Sequence, residues 1–233
     1  MKQSDFDAET RSLLIALTQR LTTDGAEVGY KICKASDQLI EWLDYLLASE
    51  ATGQCDDFLD GLRASIVEVV GCGAAGLIRP AIFSMRAQVD IILSWLYFKD
   101  HPVEWAKVED TGEGFVLKRD ALEYLKQYVP RYDTRFAQLL AKRSRKEVDP
   151  YKMLSAHVHA QGVSVLPAHG KLETLVGPLA KSLELAVLQA DVAEYISDVL
   201  LSCFGHKWAS LPQNITESAR SRVGSDKITN VFT

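Results

Sequence analysis

One arginine and two histidines are the residues in this sequence whose side chains could act together on a phosphate. His157 and His159 lie two residues apart, and Arg86 occupies a largely apolar segment earlier in the chain. A histidine can transfer a proton near neutral pH, and an arginine can bind a phosphate through two parallel hydrogen bonds. We therefore predict Arg86, His157 and His159 as candidate catalytic residues, provided that the fold brings them together.

Arg86 also has a structural interpretation. Asp90 follows it by four residues, which places both side chains on one side of a helix. A partly buried ion pair of this kind must be satisfied by further hydrogen bonds. Arg79, near the start of the same helix, is a further candidate for binding an anion.

Gly71, Gly73 and Gly76 have the spacing of a dinucleotide-binding fingerprint. In such a site a strand precedes the glycines, which let the backbone approach a pyrophosphate at a helix N-terminus. The segment Ser65–Val70 could be that strand, although no later alternation of strands and helices would build a parallel sheet. Nucleotide binding at Gly71–Gly76 is therefore one hypothesis. A helix break or a close contact between helices is the other.

Charge is unevenly distributed along the 233 residues, whose net charge is −5. Residues 1–60 contain twelve acids and five bases, whereas residues 118–152 contain ten bases and five acids. Such a basic segment is typical of a solvated helix face, of an RNA or DNA contact, or of a surface that binds the acidic region of a second copy. The candidate binding residues are Arg79, Arg131, Arg135, Lys142, Arg143, Arg145 and Lys146.

Neither a metal site nor a cofactor is predicted. The four cysteines form no CxxC pair, and the five histidines form no HExxH motif. The first residues lack the pattern of a signal peptide, and the apolar segments Ala64–Ile78 and Ala87–Phe98 are too short to cross a bilayer. These features predict a cytoplasmic protein without a membrane segment.

Helical periodicity of apolar residues runs through most of the chain, and alternating strand patterns are nearly absent. The pattern predicts an all-α, single-domain bundle of about seven to nine helices over residues 1–211, followed by a loosely ordered tail over 212–233. Within the bundle it predicts a helix stop at 23–25, one helix over 28–49, a central buried helix over 80–99 and a loop over 108–116.

Three short motifs within residues 75–165 resemble a family of uncharacterised bacterial helical proteins. The first motif runs from Arg79 to Asp90 and contains Arg86. The second is Trp95-Leu96-Tyr97-Phe98, and the third combines Tyr151, Leu154, Ser155, Val158 and His159. The family is distantly similar to HEPN domains (higher eukaryotes and prokaryotes nucleotide-binding).

This resemblance implies either of two functions. HEPN ribonucleases cut RNA without a metal, using an arginine followed after four to six residues by a histidine. In this sequence Lys152 occupies the arginine position before His157, and lysine does not replace arginine at a bidentate site. Many HEPN-like domains are non-catalytic, and they dimerise or bind RNA, DNA or a protein partner within toxin or phage-defence assemblies. We favour this second function, and metal-independent endoribonuclease activity is the alternative.

Overall fold

A computed structural model describes residues 3–162, 165–166, 170–225, 228 and 231–232. These residues form α-helices, one π-helical turn and short 3₁₀ segments, and none of them forms a strand. The α-helices are α1 (Gln3–Arg20), α2 (Ala26–Ala35), α3 (Asp37–Ser49), α4 (Asp57–Ala74), α5 (Ile78–Phe98), α6 (Pro102–Thr111), α7 (Lys118–Tyr128), α8 (Tyr132–Ala141), α9 (Pro150–Val158), α10 (Leu179–Phe204) and α11 (Gln213–Val223). The all-α prediction is confirmed.

The described residues contain more helices than the seven to nine predicted: ten, when α1 and α2 are taken as one rod joined by a π-helical turn. The predicted helix over residues 28–49 is divided at Ser36, whose hydroxyl donates to the carbonyl of Ile32. In addition, α6 extends to Thr111, into a segment predicted to be a loop.

The predicted stop at residues 23–25 is a π-helical turn, Leu21–Gly25, through which the chain stays helical. The hydroxyls of Thr22 and Thr23 donate to the carbonyls of Thr18 and Gln19, at 2.8 and 2.9 Å. They thereby satisfy acceptors that the wider turn leaves without their usual amide partners.

The helices group into two compact units. Helices α4, α5 and α10 are each divided between them, with one end in the first unit and the other end in the second. The first unit comprises residues 1–36, 65–86 and 149–190. Its buried side chains include Ile32, Met85, Leu154 and Leu185.

The second unit comprises residues 37–64, 87–148 and 191–233, and its core is rich in aromatic residues. Trp42, Trp95, Phe98, Tyr132 and Phe232 are all at least 98% buried. The prediction of a single domain stays a prediction.

Part of the segment predicted to be a loose tail, residues 213–223, is helical. Helix α11 begins at Gln213, and its Ile215, Ala219 and Val223 are buried. These three positions are four residues apart and therefore form one apolar face of the helix. The segment as a whole is polar in composition because the residues between them are polar.

Candidate functional site

The candidate catalytic residue Arg86 connects α5 to α9 within the first unit. Its Nε donates to the hydroxyl of Ser155 at 3.2 Å, and its Nη2 donates to the hydroxyl of Tyr151 at 2.6 Å. The guanidinium also lies over the Tyr151 ring, 4.9 Å from its centre. Tyr151 and Ser155 are four residues apart on α9, so that one arginine contacts two successive turns of that helix.

Arg79 makes a second connection two turns earlier on α5. Its Nη2 donates to the backbone carbonyl of His157 at 3.0 Å, and its Nη1 donates to the carbonyl of Val165 at 3.4 Å. Burial lowers the pKa of His157, and the nearby positive charge of Arg79 lowers it further. Both effects favour the neutral imidazole of His157 over its charged form.

His159 lies at the end of α9, where it caps the helix through its amide and exposes its side chain. Lys152, which occupies the arginine position of the HEPN motif, is also exposed. The fold thus brings Arg79, Arg86 and His157 to the contact between α5 and α9, and it bonds both arginines to acceptors of the protein itself.

The glycine segment lies at the end of a helix. Residues 65–70, the strand expected before the fingerprint, belong to α4, and so do Gly71 and Gly73. A β-carbon at Gly73 would lie 2.3 Å from Cδ1 of Ile32, and Gly76 has a left-handed φ of +78°. Gly73 therefore permits a close contact between helices, and Gly76 permits the chain to turn after the helix end. The segment that would have to be a strand in a dinucleotide site is part of a helix in this fold.

Two of the candidate binding residues, Arg135 and Arg145, are buried in the second unit, each 3% exposed. The Arg135 guanidinium donates to the backbone carbonyls of Pro130, Ser202 and Val231. Burial lowers the pKa of Arg135, and the charge of Arg131 adds to this effect. In this fold Arg135 has no surface on which to meet a nucleic acid, so its predicted binding role is corrected to a structural one.

Arg145 is the centre of a buried ion network that the sequence analysis missed. Its Nη1 lies 2.5 Å from Asp198 and 3.0 Å from Glu194, both on α10. Arg222 of α11 contacts the same two acids, at 2.6 and 3.1 Å. The predicted binding role of Arg145 is corrected to a structural one as well, because Glu194 and Asp198 neutralise its buried guanidinium.

Glu194 also holds the backbone of the loop between α8 and α9. It accepts the amides of Ser144 and Arg145 at 3.0 and 3.2 Å, and in addition the Ser144 hydroxyl. Burial raises the pKa of Glu194, but the hydrogen bonds from Ser144 and the charge of Arg222 outweigh burial and place that pKa below its usual value. A charged Glu194 therefore fixes the path of this loop.

One sequence signal could have revealed the two acids. Glu194 and Asp198 are four residues apart in the most apolar part of α10, where residues 192–205 are all buried. Carboxylates on a buried helix require paired cations, because an unpaired buried charge is too costly. Which arginines supply them depends on the tertiary structure.

The other predicted binding residues lie at or near the surface. Arg79 is half-buried, and Arg131, Lys142, Arg143 and Lys146 are exposed. Arg131 precedes α8 with a left-handed φ of 63°. Lys142, Arg143 and Lys146 form no salt bridge within the part of the chain that the structure describes.

In residues 3–162, 165–166, 170–225, 228 and 231–232, no three histidine, cysteine or acidic side chains are arranged to hold a metal ion. Across the same residues, no helix has both the length and the apolar character that crossing a membrane requires.

Comparison with known proteins gives no match: no family model fits the sequence, and neither a curated protein nor a solved structure is similar to it.

Proposed function

We propose that this chain is a non-catalytic, HEPN-like helical module of the cytoplasm that binds a partner within a larger assembly of the phage-defence or toxin type. One observation carries the proposal. The guanidinium donors of Arg79 and Arg86 are directed at acceptors on and beside α9. A scissile phosphate would have to displace these bonds, so we assign both arginines to holding α5 and α9 together.

A metal-independent endoribonuclease is the second candidate. His159 is exposed one turn beyond Ser155, and Ser155 accepts a hydrogen bond from Arg86. In this alternative His159 or His157 would transfer the proton and Arg86 would stabilise the phosphate.

A cleavage assay separates the two functions. Labelled RNA incubated with the purified protein and a chelator is expected to stay intact, because the arginines are already engaged. His159→Ala is then expected to behave like the unaltered chain. His206→Ala serves as a matched control, since His206 is an exposed histidine of the second unit. Cleavage that His159→Ala abolishes and His206→Ala preserves would establish the ribonuclease and reject the non-catalytic module.

The module is further proposed to form a homodimer. Helix α1 supports this proposal because it has eighteen residues and none of them is buried. Leu14 and Ile15, on its surface, are 63% and 67% exposed. Apolar side chains that are exposed next to one another are typical of protein interfaces.

Light scattering during size-exclusion chromatography tests the dimer. The unaltered chain is expected to elute at twice the mass of one copy, and the double substitution L14S/I15S is expected to elute as a monomer. Val103→Ser, at an 84% exposed position of α6, is the matched control and should remain dimeric. A monomeric mass for the unaltered chain at micromolar concentration would refute the dimer.

A further inference from the structure

A small cavity lies beside the π-helical turn of the first unit, in a region that the proposed function does not use. Its volume is about 260 Å³. The residues that line it all belong to the first unit and are Ala16, Gln19, Arg20, Thr23, Asp24 and Val176. Cavities that hold drug-sized ligands measure roughly 300–1,000 Å³, so this cavity suits a smaller molecule.

Arg20 supplies a positive charge to the cavity, and the protein uses only part of its guanidinium. The side chain is 11% exposed, and its Nη2 donates to the backbone carbonyl of Gly177 at 2.6 Å. Its Nη1 is buried and donates no hydrogen bond within the described residues. The carboxylate of Asp24 lies 3.6 Å from this Nη1, which is beyond hydrogen-bond distance. Because a buried donor without an acceptor is costly, an acceptor brought by a ligand would stabilise Arg20.

Asp24 supplies a negative charge to the same cavity. Its side chain is 40% exposed, and its Oδ2 lies 3.0 Å from the hydroxyl of Thr23. The lining therefore contains one cation and one anion, whose mutual pairing is loose. A ligand with a single charge would be attracted by one of these groups and repelled by the other, whereas a zwitterion can pair with both.

We infer that this cavity binds a free aliphatic α-amino acid. The carboxylate of the ligand accepts from Arg20, and its ammonium group donates to Asp24. The aliphatic side chain of the ligand contacts the apolar side chains of Ala16 and Val176, which complete the lining. The backbone supports the inference, because Thr23 and Asp24 belong to a π-helical turn, a rare feature that is frequent at functional sites. The site goes beyond the proposed function and does not depend on it.

Isothermal titration calorimetry with three matched probes tests the class of ligand. L-leucine has both charges, isocaproate is the same molecule without the ammonium group, and isopentylamine is the same molecule without the carboxylate. L-leucine is expected to bind at least about tenfold more tightly than either analogue, because each analogue lacks one charge-assisted hydrogen bond. Equal affinities for the three probes, or no binding of L-leucine at millimolar concentration, would overturn the inference.

Asp24→Asn tests the ammonium contact, with opposite expectations for two probes. The affinity for L-leucine should fall about tenfold, because its ammonium group loses a charged partner. The affinity for isocaproate should rise, because the carboxylate that repels it is gone. Glu27→Gln, at an exposed ion pair with Lys31 on α2, is the matched control and should change neither affinity. A fall in both affinities, or no change in either, contradicts the ammonium contact.

Ala16→Leu tests the location of the site without changing a charge. The larger side chain should fill part of the cavity and weaken L-leucine binding at least about tenfold, because overlap with a packed side chain is unfavourable. Ala8→Leu adds the same volume at an exposed position of the same helix and should bind L-leucine normally. Circular dichroism checks that both variants remain helical. L-leucine binding that survives Ala16→Leu would place the ligand elsewhere and reject this site.

Discussion

Replacing Asp198 with alanine is expected to lower the free energy of unfolding by about 3–5 kcal/mol, the range for breaking a buried ion pair by removing one partner. Asp198 is fully buried and accepts from Arg145 at 2.5 Å and from Arg222 at 2.6 Å. Without its carboxylate, two largely buried guanidinium groups would share Glu194 alone. Urea unfolding followed by circular dichroism measures the change.

A matched substitution at an exposed ion pair shows whether burial causes the loss of stability expected for Asp198→Ala. Asp44 pairs with Arg63 at 2.9 Å, but this pair lies at the surface, with both side chains more than 40% exposed. Asp44→Ala is expected to cost less than about 1 kcal/mol. If Asp198→Ala unfolds completely, Asp198→Asn keeps the comparison measurable. Equal costs at the two positions would contradict the description of Asp198 as a buried, paired charge.

Replacing Trp42 with alanine is expected to cost about 3–5 kcal/mol, as large-to-small substitutions of aromatic residues in a core do. Trp42 of α3 is 1% exposed, and its ring lies 5.9 Å from that of Tyr45 and 6.5 Å from that of Phe204. Its indole N–H donates to the hydroxyl of Ser197 on α10 at 2.9 Å. The substitution therefore removes both packing and the partner of a buried hydroxyl.

Two further variants apportion this loss. Trp42→Phe retains most of the ring volume and removes the hydrogen bond to Ser197, so it should cost about 1–3 kcal/mol. Tyr30→Ala, at a 64% exposed aromatic residue of α2, should change stability by less than about 0.5 kcal/mol. A Trp42→Ala variant as stable as Tyr30→Ala would show that α3 does not pack against α10 through this ring.

The central helix shows that the periodicity of apolar residues can by itself predict the bounds of a helix. Its predicted range, 80–99, agrees with α5 at Ile78–Phe98 to within two residues at each end. The agreement follows from its apolar residues, which recur over five turns and have one arrangement that buries them. Periodicity was less informative at Ser36 and at residues 21–25, where hydroxyl-to-carbonyl bonds decide whether a helix ends or continues.

The candidate site was predictable only in part. Arg86, Tyr151 and Ser155 were singled out from the sequence, and the fold brings them into contact. Their mutual hydrogen bonds could not be foreseen, because a pattern on α9 does not reveal which residues of α5 lie opposite. These bonds add a structural reason to favour a non-catalytic module, beside the lysine at position 152.

What the sequence determined by itself is the helical class and the presence of a basic segment, since both follow from local spacing and composition. The tertiary structure alone decided which cations face water. Residues 142–149 lie outside a regular helix, so no helical periodicity in the sequence distinguishes their buried positions from their exposed ones. Arg145 is buried because Glu194 and Asp198, some fifty residues later, supply the charges that make its burial affordable.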